Sequence, residues 1–278
     1  MPRASLRAPP CIWTFLSSLE EEWRMTRTRG WLELSAPDIG ARLQGGALPL
    51  LVTGSVEQHG PHLPCGTDYM AALVIAQRVA EKLGALLLPL SPLGVAPYHR
   101  AFPGSLTLAP ETFIALFRDV CEGLARGGAS RAAVLNWHEG NMAPLQVAAL
   151  GVRQKVELDI VLVQAFLIAH ELFGATTPLT HAGEMEILPV VAYDASLVDL
   201  GRATNPSPLE RGLAQHALYR RVASQPILAD FRSVAPTGWY GPLGSPTPER
   251  AEAFVEAVAE RAAASIRETF DGLQKERA

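Results

Sequence analysis

Cysteine is scarce in this chain of 278 residues, with only Cys11, Cys65 and Cys121. Three scattered thiols give neither a disulfide framework nor a paired CxxC metal spacing. A reducing, cytoplasmic setting is therefore the expectation. No apolar run approaches the roughly 20 residues a bilayer-spanning helix needs, so no membrane partner is expected. The apolar patch from Cys11 to Leu16 is shorter than the ~7–15 residues of a signal core. It is closely followed by Glu20, Glu21 and Glu22. Residues 1–24 read as an N-terminal extension, Met25 as an alternative start, and 25–278 as one domain. The chain also lacks an excess of positive charge: the formal net charge is -4 and the pI about 6.0. Neither value suggests nucleic acid or an anionic membrane surface as a partner. Internal repeats and low-complexity segments are absent, and the stretch 199–210 around Asn205-Pro206-Ser207-Pro208 is too short to separate two domains.

What is present is an apolar fraction of 48%, enough for a substantial core. It is arranged as apolar runs alternating with helical periods. Leu48–Thr53, Ala85–Leu90, Arg131–Asn136 and Ile160–Phe166 read as strands. Thr67–Leu83, Pro110–Arg126, Asn141–Gln154, Glu184–Tyr193 and Arg250–Phe270 read as helices, with Thr67 or Asp68 capping the first, Gly84 ending it, and Pro189 able to bend the fourth. Residues 91–110 read as a loop. This alternation predicts an α/β fold with a mostly parallel sheet covered on both faces, since its strands are continuous apolar runs rather than alternating ones.

Three clusters carry chemistry. Glu57-Gln58-His59-Gly60-Pro61-His62-Leu63-Pro64-Cys65-Gly66-Thr67-Asp68 packs two carboxylates and two imidazoles between a strand and a helix. Asn136-Trp137-His138-Glu139-Gly140-Asn141 follows the third strand. His181-Ala182-Gly183-Glu184-Met185-Glu186 opens a helix. Carboxylate with imidazole is a ligand set for a divalent metal such as Zn²⁺. In open α/β sheets, sites form beyond the carboxyl ends of the strands, where the first two clusters fall. Residue by residue, plainer roles compete: Asp68 as a helix cap, His138 as a core histidine, Glu186 as a solvated helix residue, Cys65 as a small packed side chain.

Taken together, Glu57–Pro64 with Asp68, Phe102-Pro103-Gly104-Ser105, the 136–141 loop and His181–Glu186 resemble, in order, the motifs of the creatininase family of metal-dependent amidohydrolases. The resemblance runs from about Trp31 to about Phe270. It implies a three-layer α/β/α sandwich, a homo-oligomer (a hexamer among its sizes), and two divalent metal ions per chain, with zinc favoured and manganese or iron as alternatives. It implies Glu57 and His138 on one metal, His59 and Glu186 on the other, and Asp68 as the carboxylate bridging them. It also implies His181 as a proton shuttle, and hydrolysis of a carbon–nitrogen amide bond in a small molecule by metal-activated hydroxide. Trp137 and Glu184 are the candidate substrate-binding residues, with Trp137 narrowing or capping the pocket. A peptidase that trims a modified peptide, of the mycofactocin-precursor kind, and a non-catalytic binding protein on the same fold are the rival readings. The chain departs from the family pattern around its second motif. Gly140 stands where a glutamate base is expected, Trp137 and Glu139 replace glycines, and Thr177 replaces a tryptophan. Glu139 is the alternative base. His62 reads as a support for the ligands, and His99 and His170 lie outside the motifs.

Overall fold

The computed structural model describes residues 30–219, 224, 227 and 229–276. The extension expected at 1–24 lies outside the described residues. Four strands, β1 (Pro49–Thr53), β2 (Leu86–Ser91), β3 (Arg131–Asn136) and β4 (Asp159–Gln164), form one sheet in the order β2-β1-β3-β4. All pairings are parallel, with Leu51 opposite Leu88 on one side and Val134 on the other.

The continuous apolar runs are divided between two cores by the pleat. Leu50, Val52, Ala133, Leu135, Val161 and Val163 face one way. They pack on α2 (Thr67–Leu83) and on α8 (Pro248–Lys275). Leu51, Leu86, Ala132 and Val134 face the other way, onto α3 (Pro110–Arg126) and α4 (Met142–Arg153). Alanine at 259, 262 and 263 lets α8 lie close against the sheet layer. This is the three-layer α/β/α arrangement, and it brings the carboxyl ends of all four strands to one edge.

The helices that the periodicity missed are short or near loops. Residues 36–44 form α1 (Ala36–Gln44), started by Pro37 in its first turn and by Ser35, whose Oγ accepts from Asp38 N–H. The fourth strand ends at Gln164, and the chain turns directly into α5 (Ala165–Phe173). The apolar run Ala165–Phe166 continues the strand pattern into that helix, and a short apolar run cannot be divided by periodicity alone. His170 lies exposed on α5. α6 (Glu184–Asp194) runs through Pro189 without ending there. Leu209–Tyr219 forms α7 at the end of the stretch considered as a linker. None of the described helices is long and apolar enough to cross a membrane.

Candidate metal centre

The loop after β1 is forced into close contact with the start of α2. A Cβ on Gly54 would lie 2.5 Å from Tyr69 N and 2.6 Å from Asp68 C, so only glycine permits this approach. α2 is capped by Gly66 with no side-chain hydrogen bond. Asp68 is therefore not the helix cap, and its buried carboxylate turns toward the histidines. Asn141 ties the neighbouring loops together: its Nδ2 donates to Gly54 O and Asn136 Oδ1, and its Oδ1 accepts from Val95 N–H.

On this scaffold Glu57, His59, Asp68, His138 and Glu186 converge, each 9% exposed or less. His138 Nδ1 lies 3.4 Å from Glu57 Oε2 and 2.9 Å from Asp68 Oδ2. His59 Nε2 lies 3.3 Å from Asp68 Oδ1 and 3.6 Å from Glu186 Oε2. Asp68 thus presents one oxygen to each imidazole. His181 stacks on His59 with ring centroids 4.4 Å apart, and its ligand atom falls near those of His59 and Glu186.

The tautomers follow from the outer partners. His59 Nδ1 donates to Glu57 O at 3.0 Å, and His138 Nε2 donates to Val95 O at 3.1 Å. Each neutral ring then turns a lone pair, not a proton, toward carboxylate oxygens. Asp68 Oδ2 and His59 Nε2 are buried with no hydrogen-bond partner. Lone pairs facing carboxylates in a buried pocket require a cation between them. Backbone carbonyls orienting ligand histidines are a recurring outer-shell feature of metal sites. The donor set suits divalent metal binding, with Glu57, Asp68 and His138 in one group and His59, His181 and Glu186 in another.

Without a metal, protons take that role. Burial disfavours the charged form of His59, but Asp68, then Glu186 and Glu57, outweigh it and push its pKa up to about 10. His138 is raised to about 9 in the same way, by Glu57 and Asp68 against burial. Asp68 is held well below the carboxylate range: burial opposes this, and His59 and His138 prevail. Burial raises Glu186 to about 7. Burial, and then His59 and His99, hold His181 well below its usual value, so it is neutral.

The cavity beside these groups measures about 90 Å³. Its polar wall includes Glu57, Asp68, His99, His138, His181 and Glu186, and its apolar wall includes Tyr98, Trp137, Phe166 and Phe231. Among the described residues no lysine or arginine lines it. Trp137 is a buried wall of the cavity rather than a cover over it, set edge-on to Phe254 of α8 at 6.3 Å. Glu184 is the expected site residue that the fold does not bring in. Its carboxylate is paired with Arg250 at 2.7 Å, accepts from Ser245 N–H, and does not line the cavity. It is the first residue of α6, directly after the N-cap Gly183, and at two residues' spacing, about 200° around the helix, it faces nearly opposite to Glu186. His62 Nε2 donates to Ala182 O at 2.9 Å. Ala182 has φ +59°, an uncommon conformation for a residue with a Cβ. That conformation sends its N–H to Glu186 Oε2, so His62 acts on the site through the backbone.

Gly140 is fixed by packing. A Cβ there would lie 2.2 Å from Val95 O and 2.5 Å from His138 Nε2. No side chain fits at that place in this arrangement of the loops, and Glu139 lines the cavity beside it. Sequence reasoning missed His99 and Gln58. Both are buried at the centre, with His99 Nε2 3.4 Å from Glu57 Oε1. The available signal was position: His99 stands three residues before the Phe102-Pro103-Gly104-Ser105 motif.

Comparison with known proteins identifies the family and the fold. Residues 32–266 match the family model Creatininase, described as creatinine amidohydrolase. The chain is 27% identical over 197 residues to a creatinine amidohydrolase of Pseudomonas putida, across 63% of this chain and 76% of that protein. It is 32% identical over 105 residues to a mycofactocin precursor peptide peptidase of Mycolicibacterium smegmatis, across 36% of this chain and 42% of the peptidase. A solved zinc–zinc form of a creatininase carrying a glutamate-to-glutamine substitution superposes with a TM-score of 0.70 at 23% identity, covering 87% of this chain and 99% of that one.

Proposed function

The chain belongs to the creatininase family, and from that premise we propose that it is a dinuclear metal-dependent amidohydrolase that cleaves a carbon–nitrogen amide bond of a small molecule. One observation carries the reading. Two buried imidazoles turn lone pairs toward opposite oxygens of a single carboxylate, Asp68, and each is backed by a further carboxylate, Glu57 or Glu186. Glu57, Asp68 and His138 would hold one ion, and His59, Asp68 and Glu186 the other. Bound there, two divalent ions would polarise an amide carbonyl and lower the pKa of water toward neutrality. Zinc suits the donor set best, with manganese and ferrous iron as alternatives.

The chain's own groups account for the rest. His181 Nε2 lies 2.8 Å from Gln58 O, an acceptor, and therefore carries a proton. Its Nδ1 is left as the lone pair, so this neutral imidazole can take a proton and return it to a departing nitrogen. Glu139, at the cavity wall, is the carboxylate base that replaces one at Gly140. The apolar wall excludes water and selects a flat, small substrate. The cavity's size, and the absence of a described cationic side chain in its lining, support an uncharged small amide over a peptide with a free carboxylate.

A substrate panel tests the proposal: creatinine, formanilide, 2-pyrrolidinone and a dipeptide, each with zinc-loaded or manganese-loaded protein. Metal-dependent hydrolysis of one of the first three is expected. Hydrolysis of the dipeptide alone would favour the peptidase reading. Full metal loading with no turnover at all would favour a binding protein that keeps the fold.

A further inference from the structure

We propose that His99 is a further substrate-facing residue of this site, a neutral imidazole whose Nε2–H is a hydrogen-bond donor, and that Gln58 is the positioning residue that keeps the proton on that nitrogen. The inference rests on the amidohydrolase reading for its chemistry, and on hydrogen-bond geometry for its substance.

The orientation of the Gln58 amide is set by Gly60, whose N–H reaches Gln58 Oε1 at 3.1 Å. That oxygen is an acceptor, so the other end of the amide is the NH₂ group, a donor only. It lies 3.2 Å from His99 Nδ1. A donor facing Nδ1 requires a lone pair there, and a neutral imidazole then carries its proton on Nε2. His99 lines the cavity, and this nitrogen lies 3.4 Å from Glu57 Oε1, at the edge of the metal centre. The ring plane is fixed by Phe231, stacked on it at 4.5 Å and 26°.

The same glutamine sits against His181. Its amide nitrogen is 3.1 Å from His181 Nε2, but the backbone oxygen of Gln58 is nearer, at 2.8 Å. The nearer acceptor claims the His181 proton. Gln58 therefore gives its two neighbours opposite characters: His99 turns a proton toward the site, and His181 keeps a lone pair. A fixed N–H in a water-poor pocket, beside a carboxylate that belongs to the metal centre, is suited to an amide oxygen on which negative charge grows.

Two measurements decide the matter. In zinc-loaded protein with ¹⁵N-labelled histidine, the resonances of His99 are identified by their loss in His99→Gln. The proton is expected on Nε2, and Gln58→Leu is expected to let Nδ1 share it. In steady-state kinetics on formanilide and creatinine, His99→Leu should lower kcat/KM about 10²-fold, the scale of losing one such donor, with zinc content unchanged. His99→Gln, whose amide N–H falls near the place of Nε2–H, should recover at least about tenfold of that loss on the same scale. A proton on Nδ1 in the unaltered protein overturns the proposal. So does a kcat/KM for His99→Leu within about threefold of the unaltered protein, or loss of zinc in step with activity. If the unaltered protein turns over none of formanilide, creatinine and 2-pyrrolidinone, the amidohydrolase reading fails instead, and the nitrogen spectrum still decides where the proton sits.

Discussion

Asp68 and Gly140 govern the site at the scale of single residues. Asp68 has one oxygen near each of His59 and His138, so under the proposed two-ion reading Asp68→Ala would remove a ligand from both ions at once. Metal content measured by plasma mass spectrometry is expected to fall from two ions per chain to less than half an ion. Full retention would refute the bridging role. Gly140 is the reverse case, because what matters there is the absence of a side chain. Placing a glutamate there by Gly140→Glu does not install a base, since its Cβ would meet Val95 O and His138 Nε2. That substitution should displace His138 and lower both metal content and melting temperature. A gain in turnover with the metals kept would contradict the packing account. The cluster of Glu57, His59, Asp68, His138 and Glu186 was legible in the sequence because the residue types and their order form motifs. Glu184 was misread as a site residue because sequence spacing does not say which way a helix start faces, and Arg250, 66 positions away, decides that by claiming its carboxylate.

Elements carry the site by their ends. The four strands were legible from continuous apolar runs, since burial on both faces of a parallel sheet leaves little room for polar residues. α1, α5 and α7 were not, because each is short and bounded by residues that also suit loops or strands. His99 and Gln58 escaped for a related reason: their importance arises where the loop after β2 meets the loop after β1. α8 supports the centre from outside it. Phe254 contacts both Trp137 and Phe173, with ring centroids at 6.3 and 4.9 Å. Phe254→Ala should cost about 3–5 kcal/mol of stability, the usual range for a buried phenylalanine. It should also raise KM more than it lowers kcat, because it loosens the Trp137 wall and leaves the ligands in place. Denaturant unfolding and steady-state kinetics read the two effects separately.

At the scale of the whole molecule, the buried charges predict how metal and pH act on stability. In metal-depleted protein, His59 and His138 have pKa values raised to about 10 and about 9, above the unfolded value near 6.5. Their stabilising contribution is complete below about pH 6.5 and is lost as pH rises through 9 to 10. Glu186, raised to about 7, adds a cost that grows from about pH 4.5 to 7. The melting temperature of metal-depleted protein should therefore fall across pH 6.5–10. The zinc-loaded form should be flatter, because the ions replace those protons, and loading at pH 7 should release protons into a weakly buffered solution. Parallel pH profiles for the two forms would show that the histidines are not where the metal binds.

Under the proposed function, two ions held around Asp68 make this chain a hydrolase of small amides. Titrating metal-depleted protein with zinc while following hydrolysis of formanilide, 2-pyrrolidinone and creatinine puts both halves of that statement to one experiment. Activity on at least one of them is expected to rise to a plateau at two equivalents of zinc per chain. A plateau at one equivalent, or two tightly bound equivalents with no hydrolysis of any of the three, would contradict it.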